Sequence, residues 1–302
     1  MKIEELKDLL HEFRGNIEFE YDLKKKNWFN IGGKTKIFFK SQNLKELISF
    51  LKKLNNREKI FILGAGSNTL INDNLFDGVV IKLSKDFNNI SLLNEEIIIA
   101  GSAVLDKSLS DFAMNNNLTG FEFLSCIPGS IGGGIKMNAG CFNREFKDIL
   151  ISLQALDKSG NIITIPSKDI KFEYRNNNLP EDLIFLSASF KGTKSDSDKI
   201  KNKIIELKSI KEKNQPTKIK TSGSTFKNPV LQTKSKVWEL IKKSVPLDKN
   251  FGDAHISEKH CNFFVNKGNA TFKDMINLID FVEKNVYEKT GISLEKEIKI
   301  LE

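Results

Sequence analysis

From Gly120 to Gly140 the chain reads GFEFLSCIPGSIGGGIKMNAG, and five of the twelve positions from Gly129 to Gly140 are glycine. Phe121, Phe123, Leu124, Ile127, Ile131, Ile135 and Met137 hold the places that a flexible linker would fill with polar residues. A passage that is both glycine-dense and apolar is suited to burial, and its small residues let another group approach the backbone closely. With Ser130, Asn138 and Ala139 alongside, it suits a cradle whose N–H groups face an anion, a phosphate above all.

A second loop of the same kind lies upstream. KIFIL (59–63) reads as a short buried strand that runs into Gly64-Ala65-Gly66-Ser67-Asn68. A glycine pair alone marks only a turn, but two such loops favour a diphosphate held from two sides. Standard nucleotide motifs do not fit. A dinucleotide fingerprint needs a third glycine and then a helix, whereas Thr69 stands there and LINDNLFDGVVIKL reads as turn and strand. Gly33-Lys34-Thr35 resembles the end of a P-loop, yet its first glycine position is Trp28.

The 302 residues allow roughly two or three domains, and 39% apolar content is that of an ordinary globular chain. No apolar stretch reaches membrane-span length, and MKIEELKDLLHEF reads as a charged amphipathic helix without a signal core, so the expected location is cytoplasmic. The net charge of +8 comes from lysines scattered among Asn, Ile and Phe, with no aromatic-interleaved basic stripe, which argues against nucleic acid. It still favours phosphorylated substrates. Cys126, Cys141 and Cys261 form no CxxC pair, and with only His11, His255 and His260 beside them no metal site is expected.

Hydrophobic periodicity places strands at KTKIFFK, KIFILG, GVVIKL, IIIAGSAV and LIFLSASFK, helices over 43–54 and 107–116, and a hairpin around Ser159-Gly160. This gives an α+β region in two lobes. A charged helix over 195–213 follows, stopping at Gln215-Pro216. The expected division is 1–198 and 199–302, the second part holding SGSTFKNP, helices at 237–244 and 272–289, the strand CNFFVNKG and the tail LEKEIKIL.

Seven ordered blocks carry a family resemblance: WFNIGG (28–33), LGAGSN (63–68), the 120–140 passage, FEYR (172–175), SGSTFKNP (222–229), ISEKHCNFFVN (256–266) and GISLEKEI (291–298). In these the chain resembles the UDP-N-acetylenolpyruvoylglucosamine reductases. The resemblance implies an FAD-binding domain of the vanillyl-alcohol-oxidase (PCMH) type, followed by a smaller α+β substrate domain. It implies non-covalent FAD, with NADPH as hydride donor and a nucleotide-sugar enol ether as substrate. Gly64, Ala65, Gly66, Ser67 and Asn68 would form one pyrophosphate loop; Gly129, Ser130, Gly132, Gly133, Asn138 and Ala139 would lie along the other; Ile31 and Gly32 would help form the entry. No obligate protein partner and no membrane insertion are implied.

Reduction of an enol ether beside a carboxylate needs a group that stabilises developing negative charge and an acid that protonates the adjacent carbon. The family pattern assigns Arg175 to the carboxylate, Ser224 to the proton and Glu297 to polarising the intermediate or shuttling protons. Tyr174, Lys227 and Asn228 are candidate substrate contacts. Strand-like alternation of Leu294, Lys296 and Ile298 against Glu295, Glu297 and Lys299 places both glutamates on one face and does not choose between them. His260 reads as a structural hydrogen-bonder. Cys126 stands where relatives commonly carry glycine, Asn177 stands where a serine is usual, and His255 replaces a common glutamine. The 49 positions from Arg175 to Ser224 leave no room for the substrate-covering insertion of one branch, which implies the second, insertion-less type. Another oxidase of the same flavin superfamily, or a basic nucleic-acid-binding protein, are the competing readings.

Overall fold

The computed structural model describes residues 3–302 except Arg14, Lys158, Thr217 and Lys218. The chain divides into two units, one of 1–21, 36–65 and 77–211, the other of 22–35, 66–76 and 212–302. They interleave along the sequence, whereas the expected division was a single cut after residue 198.

The first unit contains two larger sheets and, among the described residues, two short two-stranded ones, Gly140–Cys141 with Arg144–Glu145 and Leu118–Thr119 with Thr193–Lys194. One larger sheet has the order Ile17–Asp22, Lys34–Ser41, Phe76–Leu83, Lys59–Ile62, with the last two strands parallel. The helix Leu44–Leu54 accompanies it. Asn43 caps that helix by accepting from the Glu46 N–H, and Asn55 ends it in the left-handed region at φ 47°. Phe13, Phe39 and Phe50 meet here, Phe39 and Phe50 stacked at 3.9 Å between ring centroids. The other sheet has the order Ile162–Pro166, Leu150–Leu156, Ile184–Lys191, Ile97–Gly101, Ile90–Leu92, antiparallel throughout. Its core also takes the helix Asp106–Asn115 and most of the apolar residues of the glycine passage, among them Phe121, Phe123, Leu124, Ile131 and Ile135. Burial of these side chains explains why a glycine-rich segment is ordered here.

The second unit packs the helices Val237–Ser244 and Phe272–Thr290 against a small antiparallel sheet of Asn250–Phe251, Ala254–Ile256 and Phe264–Asn266. The long helix begins with a reciprocal Thr271–Asp274 cap and ends at Gly291 with φ 71°. Phe29, Ile31 and Leu70, brought in from the early part of the chain, lie in the same core as Phe226, Phe264 and Ile298. The strand Lys299–Leu301 pairs in parallel with Thr69–Ile71. Among the described residues no helix is long and apolar enough to cross a membrane, and no group of three or more acidic, histidine or cysteine residues is placed to hold a metal ion.

Candidate FAD cradle and catalytic side chains

In the first unit the two glycine loops converge on one side chain. A Cβ on Gly64 would come 2.7 Å from Ser130 Oγ, and a Cβ on Gly133 would meet the same atom at 3.6 Å. Close approach of this kind leaves backbone exposed to a ligand between small residues, which suits the residues present to a diphosphate. The Gly64 carbonyl accepts a hydrogen bond from Lys82 Nζ, so a cation stands at this loop.

The second loop is a short helix, Ile131–Lys136. The Ile131 N–H donates to Val104 O and the Gly132 N–H to Ser102 O, each at 2.9 Å, while the Gly134 N–H closes on Ser130 O at 2.8 Å. Gly132 therefore turns its N–H inward rather than toward an anion, and a Cβ there would meet Ser102 at 3.0 Å. Gly134 is packed beneath the Phe146 ring, which an added Cβ would overlap. Asn138, fully buried at φ 40°, donates to Glu145 Oε2 and Glu173 O and accepts from the Lys147 N–H. Its side chain braces the passage. Ala139 is bonded in both directions, its N–H to Gly134 O and its carbonyl from the Phe146 N–H.

These contacts separate two neighbouring glycines. Gly133→Ala should keep or slightly raise the melting temperature, because alanine is the better helix former, while its methyl enters the cradle and weakens FAD retention. Gly134→Ala should destabilise the fold by about 1–3 kcal/mol through overpacking on Phe146. Thermal melts together with flavin released on denaturation check both; equal melting temperatures for the two variants would count against the assigned faces.

Gly129 lies against Asp106, the first residue of the helix Asp106–Asn115. The Asp106 N–H donates to Gly129 O at 3.1 Å, and a Cβ on Gly129 would overlap Asp106 Oδ2. The Asp106 carboxyl is completely buried, and neither oxygen has a hydrogen-bond partner among the described residues. Burial holds its pKa well above the usual carboxylate range, which favours the protonated form. Sequence reading passed over it because an aspartate at the start of a helix ordinarily faces water.

Arg175 also belongs to the first unit. It adopts φ 60°, donates from Nη2 to Gly140 O at 3.0 Å, and its guanidinium lies 4.9 Å from the centre of the Tyr174 ring. An arginine in the left-handed region is uncommon and is maintained only by its surroundings. Here those contacts tie the guanidinium to the last glycine of the cradle passage.

The second unit holds the rest. Gly66 has φ 69° and accepts from the Trp28 N–H at 3.0 Å; Asn68 Nδ2 donates to Glu297 O at 3.0 Å. The end of the upstream loop is thus bonded to the backbone of the candidate glutamate. Ile31 is buried, and Asn27 Nδ2 donates to its carbonyl at 2.7 Å. Its side chain is core, and Gly32 beside it, at φ 142°, leaves no room for a Cβ against Ile71.

Residues 224–227 run extended between two segments. The Thr225 N–H donates to Asn262 O, the Glu297 N–H to Thr225 O and the Lys227 N–H to Glu295 O, each at 2.8 Å. Asn262 also clasps Phe226, accepting its N–H at 3.1 Å and donating to its carbonyl at 2.9 Å. Of the two adjacent hydroxyls, that of Thr225 is sealed, whereas Ser224 remains half-buried. The tail is bridged at Phe226–Lys296 and becomes strand only at Lys299, so the alternation expected over 294–299 is not that of a regular strand. Burial separates the glutamates that periodicity could not: Glu295 is exposed and ion-paired with Lys227, and Glu297 is half-buried.

Lys227 and Asn228 have structural partners, Glu295 for the lysine and the Val237 N–H for Asn228 Oδ1 at 3.0 Å. The His260 ring lies edge-on to Phe263 at 4.8 Å, and burial lowers its pKa, in keeping with a structural place.

Residues 35–166 match an FAD-binding domain family, and residues 215–301 match the family described as UDP-N-acetylenolpyruvoylglucosamine reductase, C-terminal domain. Among curated proteins, the UDP-N-acetylenolpyruvoylglucosamine reductase of Pelagibacter ubique strain HTCC1062 is 66% identical over 301 residues, all of both chains. That of Rickettsia typhi strain Wilmington is 46% identical over 96% of this chain and 97% of its own. A crystal structure of the corresponding reductase from Thermus caldophilus superposes with a TM-score of 0.82 at 28% identity, covering 95% of this chain and all of that one. The α+β architecture with its FAD-binding domain is therefore the one the sequence pattern implied, and the chain belongs to the UDP-N-acetylenolpyruvoylglucosamine reductase family.

Proposed function

We propose that this protein reduces UDP-N-acetylglucosamine enolpyruvate to UDP-N-acetylmuramate with NADPH, using non-covalently held FAD, in the cytoplasmic synthesis of peptidoglycan precursors. The observation that carries the reading is the convergence of two glycine loops on Ser130, in a chain aligned end to end with a reductase of that name. Bound FAD would accept hydride from NADPH and deliver it to the terminal enol carbon.

The chain's own residues do the rest. Gly64, Ala65, Ser130 and Gly133 present backbone to the pyrophosphate, and Gly66, Ser67 and Asn68 continue the upstream loop. The Arg175 guanidinium, charged at any working pH and held by Gly140 O, binds the enolpyruvyl carboxylate as a two-pronged donor. Negative charge that develops beside that carboxylate is stabilised by the same cation. Ser224 supplies the proton to the adjacent carbon. Serine is a weak acid, so Glu297 and the polar groups around it hold or relay the proton.

Arg175→Lys keeps the charge but loses the fork. The expected result is a fall of roughly 10- to 10²-fold in kcat/KM for the enol ether, with reduction by NADPH little changed. Anaerobic mixing with NADPH and then with the UDP-sugar enol ether tests the reading as a whole. Reoxidation by dioxygen alone, with no response to the enol ether, would place the protein among oxidases instead.

A further inference from the structure

The two glycine loops supply backbone but almost no charge. Residues 64–68 and 127–140 contain one cationic side chain between them, Lys136. Its ammonium is engaged elsewhere, 3.2 Å from Glu181 Oε2 and 3.2 Å from Pro180 O. Much of the donor capacity of the second passage is also used within the chain, since the N–H groups of Ile131, Gly132, Gly134, Met137, Asn138 and Ala139 all bond backbone carbonyls. A diphosphate dianion that enters such a site gives up water for few dipoles, and a buried charge of that kind needs an opposite charge beside it. Arg175 is tied to the far end of the passage, at Gly140, and is assigned to the enolpyruvyl carboxylate.

Lys82 brings a cation to the other end. It lies near the close of the strand Phe76–Leu83, which runs parallel to Lys59–Ile62 with Ile81 opposite Ile62. The Leu63 N–H donates to Ile81 O at 2.9 Å, so the strand end that carries Lys82 is fastened to the residue before Gly64. Ile81 is fully buried, and strand alternation turns the next side chain to the opposite face, where Lys82 is half-buried. From there Lys82 Nζ donates to Gly64 O. Gly64 is the residue whose Cβ would come 2.7 Å from Ser130 Oγ, so the ammonium sits where the two loops meet. A lysine ammonium has three N–H groups and can serve a carbonyl and an anion together.

We propose that Lys82 is a cofactor-binding residue whose ammonium supplies the positive charge for the FAD pyrophosphate at the meeting of Gly64 and Ser130. The inference rests on the cofactor reading above and adds to it a residue outside both glycine loops. The contact with Gly64 O holds the ammonium in place beforehand, so less side-chain freedom is lost when the anion arrives. Lys82 escaped the sequence reading because a glycine pattern marks the backbone of a cradle and not the strand that runs beside it.

The test measures release of FAD from the flavin-loaded protein on dilution, by the return of free-flavin fluorescence, together with phosphorus NMR of the bound pyrophosphate. Lys82→Met should raise the FAD dissociation constant by roughly 10- to 10²-fold. The gap from wild type should narrow as sodium chloride is added, because salt screens the charge that the variant lacks. At least one phosphorus resonance should shift in Lys82→Met, and Lys82→Arg, which keeps the charge, should bind FAD more tightly than Lys82→Met does. A wild-type dissociation constant in Lys82→Met, or weakened binding with both phosphorus resonances unmoved, would overturn the inference. Wild-type protein purified without flavin would overturn the cofactor reading instead. Where Lys82→Met fails to fold, Lys82→Arg carries the test through the same resonances: a changed head group against the phosphate shifts them, and unmoved resonances there would also overturn the inference.

Discussion

Replacing Ser224 by alanine is expected to leave reduction of the protein by NADPH near the wild-type rate and to slow its reoxidation by the enol ether by roughly 10²-fold or more, the usual contribution of a positioned general acid. The backbone of residues 225–227 is fixed by Asn262 on one side and by Glu295 and Glu297 on the other, so loss of one hydroxyl at 224 leaves the segment in place. An intact first half-reaction certifies that the cofactor and nicotinamide sites survive. Stopped-flow traces in which Ser224→Ala reoxidises as fast as wild type would make Ser224 a structural loop residue and shift the proton to Glu297 or to water.

The second large effect concerns Asp106. Its pKa in the folded protein is raised by burial, so above the pKa of an unfolded aspartate the native state holds a proton that the unfolded state has lost. Stability attributable to this group is therefore greatest at low pH and falls as pH rises, by about 1.4 kcal/mol per pH unit until the folded-state pKa is reached. Asp106→Asn removes that slope. Urea melts of both proteins over a pH series that starts just above the pKa of an unfolded aspartate should show the variant gaining on the wild type as pH rises, and parallel curves would mean that Asp106 ionises freely in the native state.

The parts of the molecule legible in the sequence are those fixed by local chemistry. Asn43 at the start of a periodic stretch, Gly291 at the end of another and the apolar residues threaded through the glycine passage each state their conformation within a few positions. The burial and order of the glycine passage were readable for the same reason. What stayed hidden depends on partners far along the chain. Glu295 and Glu297 differ because Lys227 takes one of them, and no alternation pattern contains Lys227. Asp106 is buried by a glycine of a later loop. Gly132 looked like its neighbour Gly133 until the Ser102 carbonyl claimed its N–H.

The pairing of Thr69–Ile71 with Lys299–Leu301 has a consequence for biosynthesis. Asn68 waits for Glu297, 229 positions later, before its side chain finds its carbonyl. At ribosomal speeds of about 5–20 residues per second, the early strand stays without its parallel neighbour for roughly 10 to 50 s. Trp28 to Phe76 thus includes apolar surface, Phe29, Ile31 and Leu70, whose core does not yet exist while the ribosome is still working. A nascent chain of this design has a timed vulnerability: the second unit cannot complete its core until residues 297–301 have been made, so the exposure of its early segments lasts as long as elongation to that point.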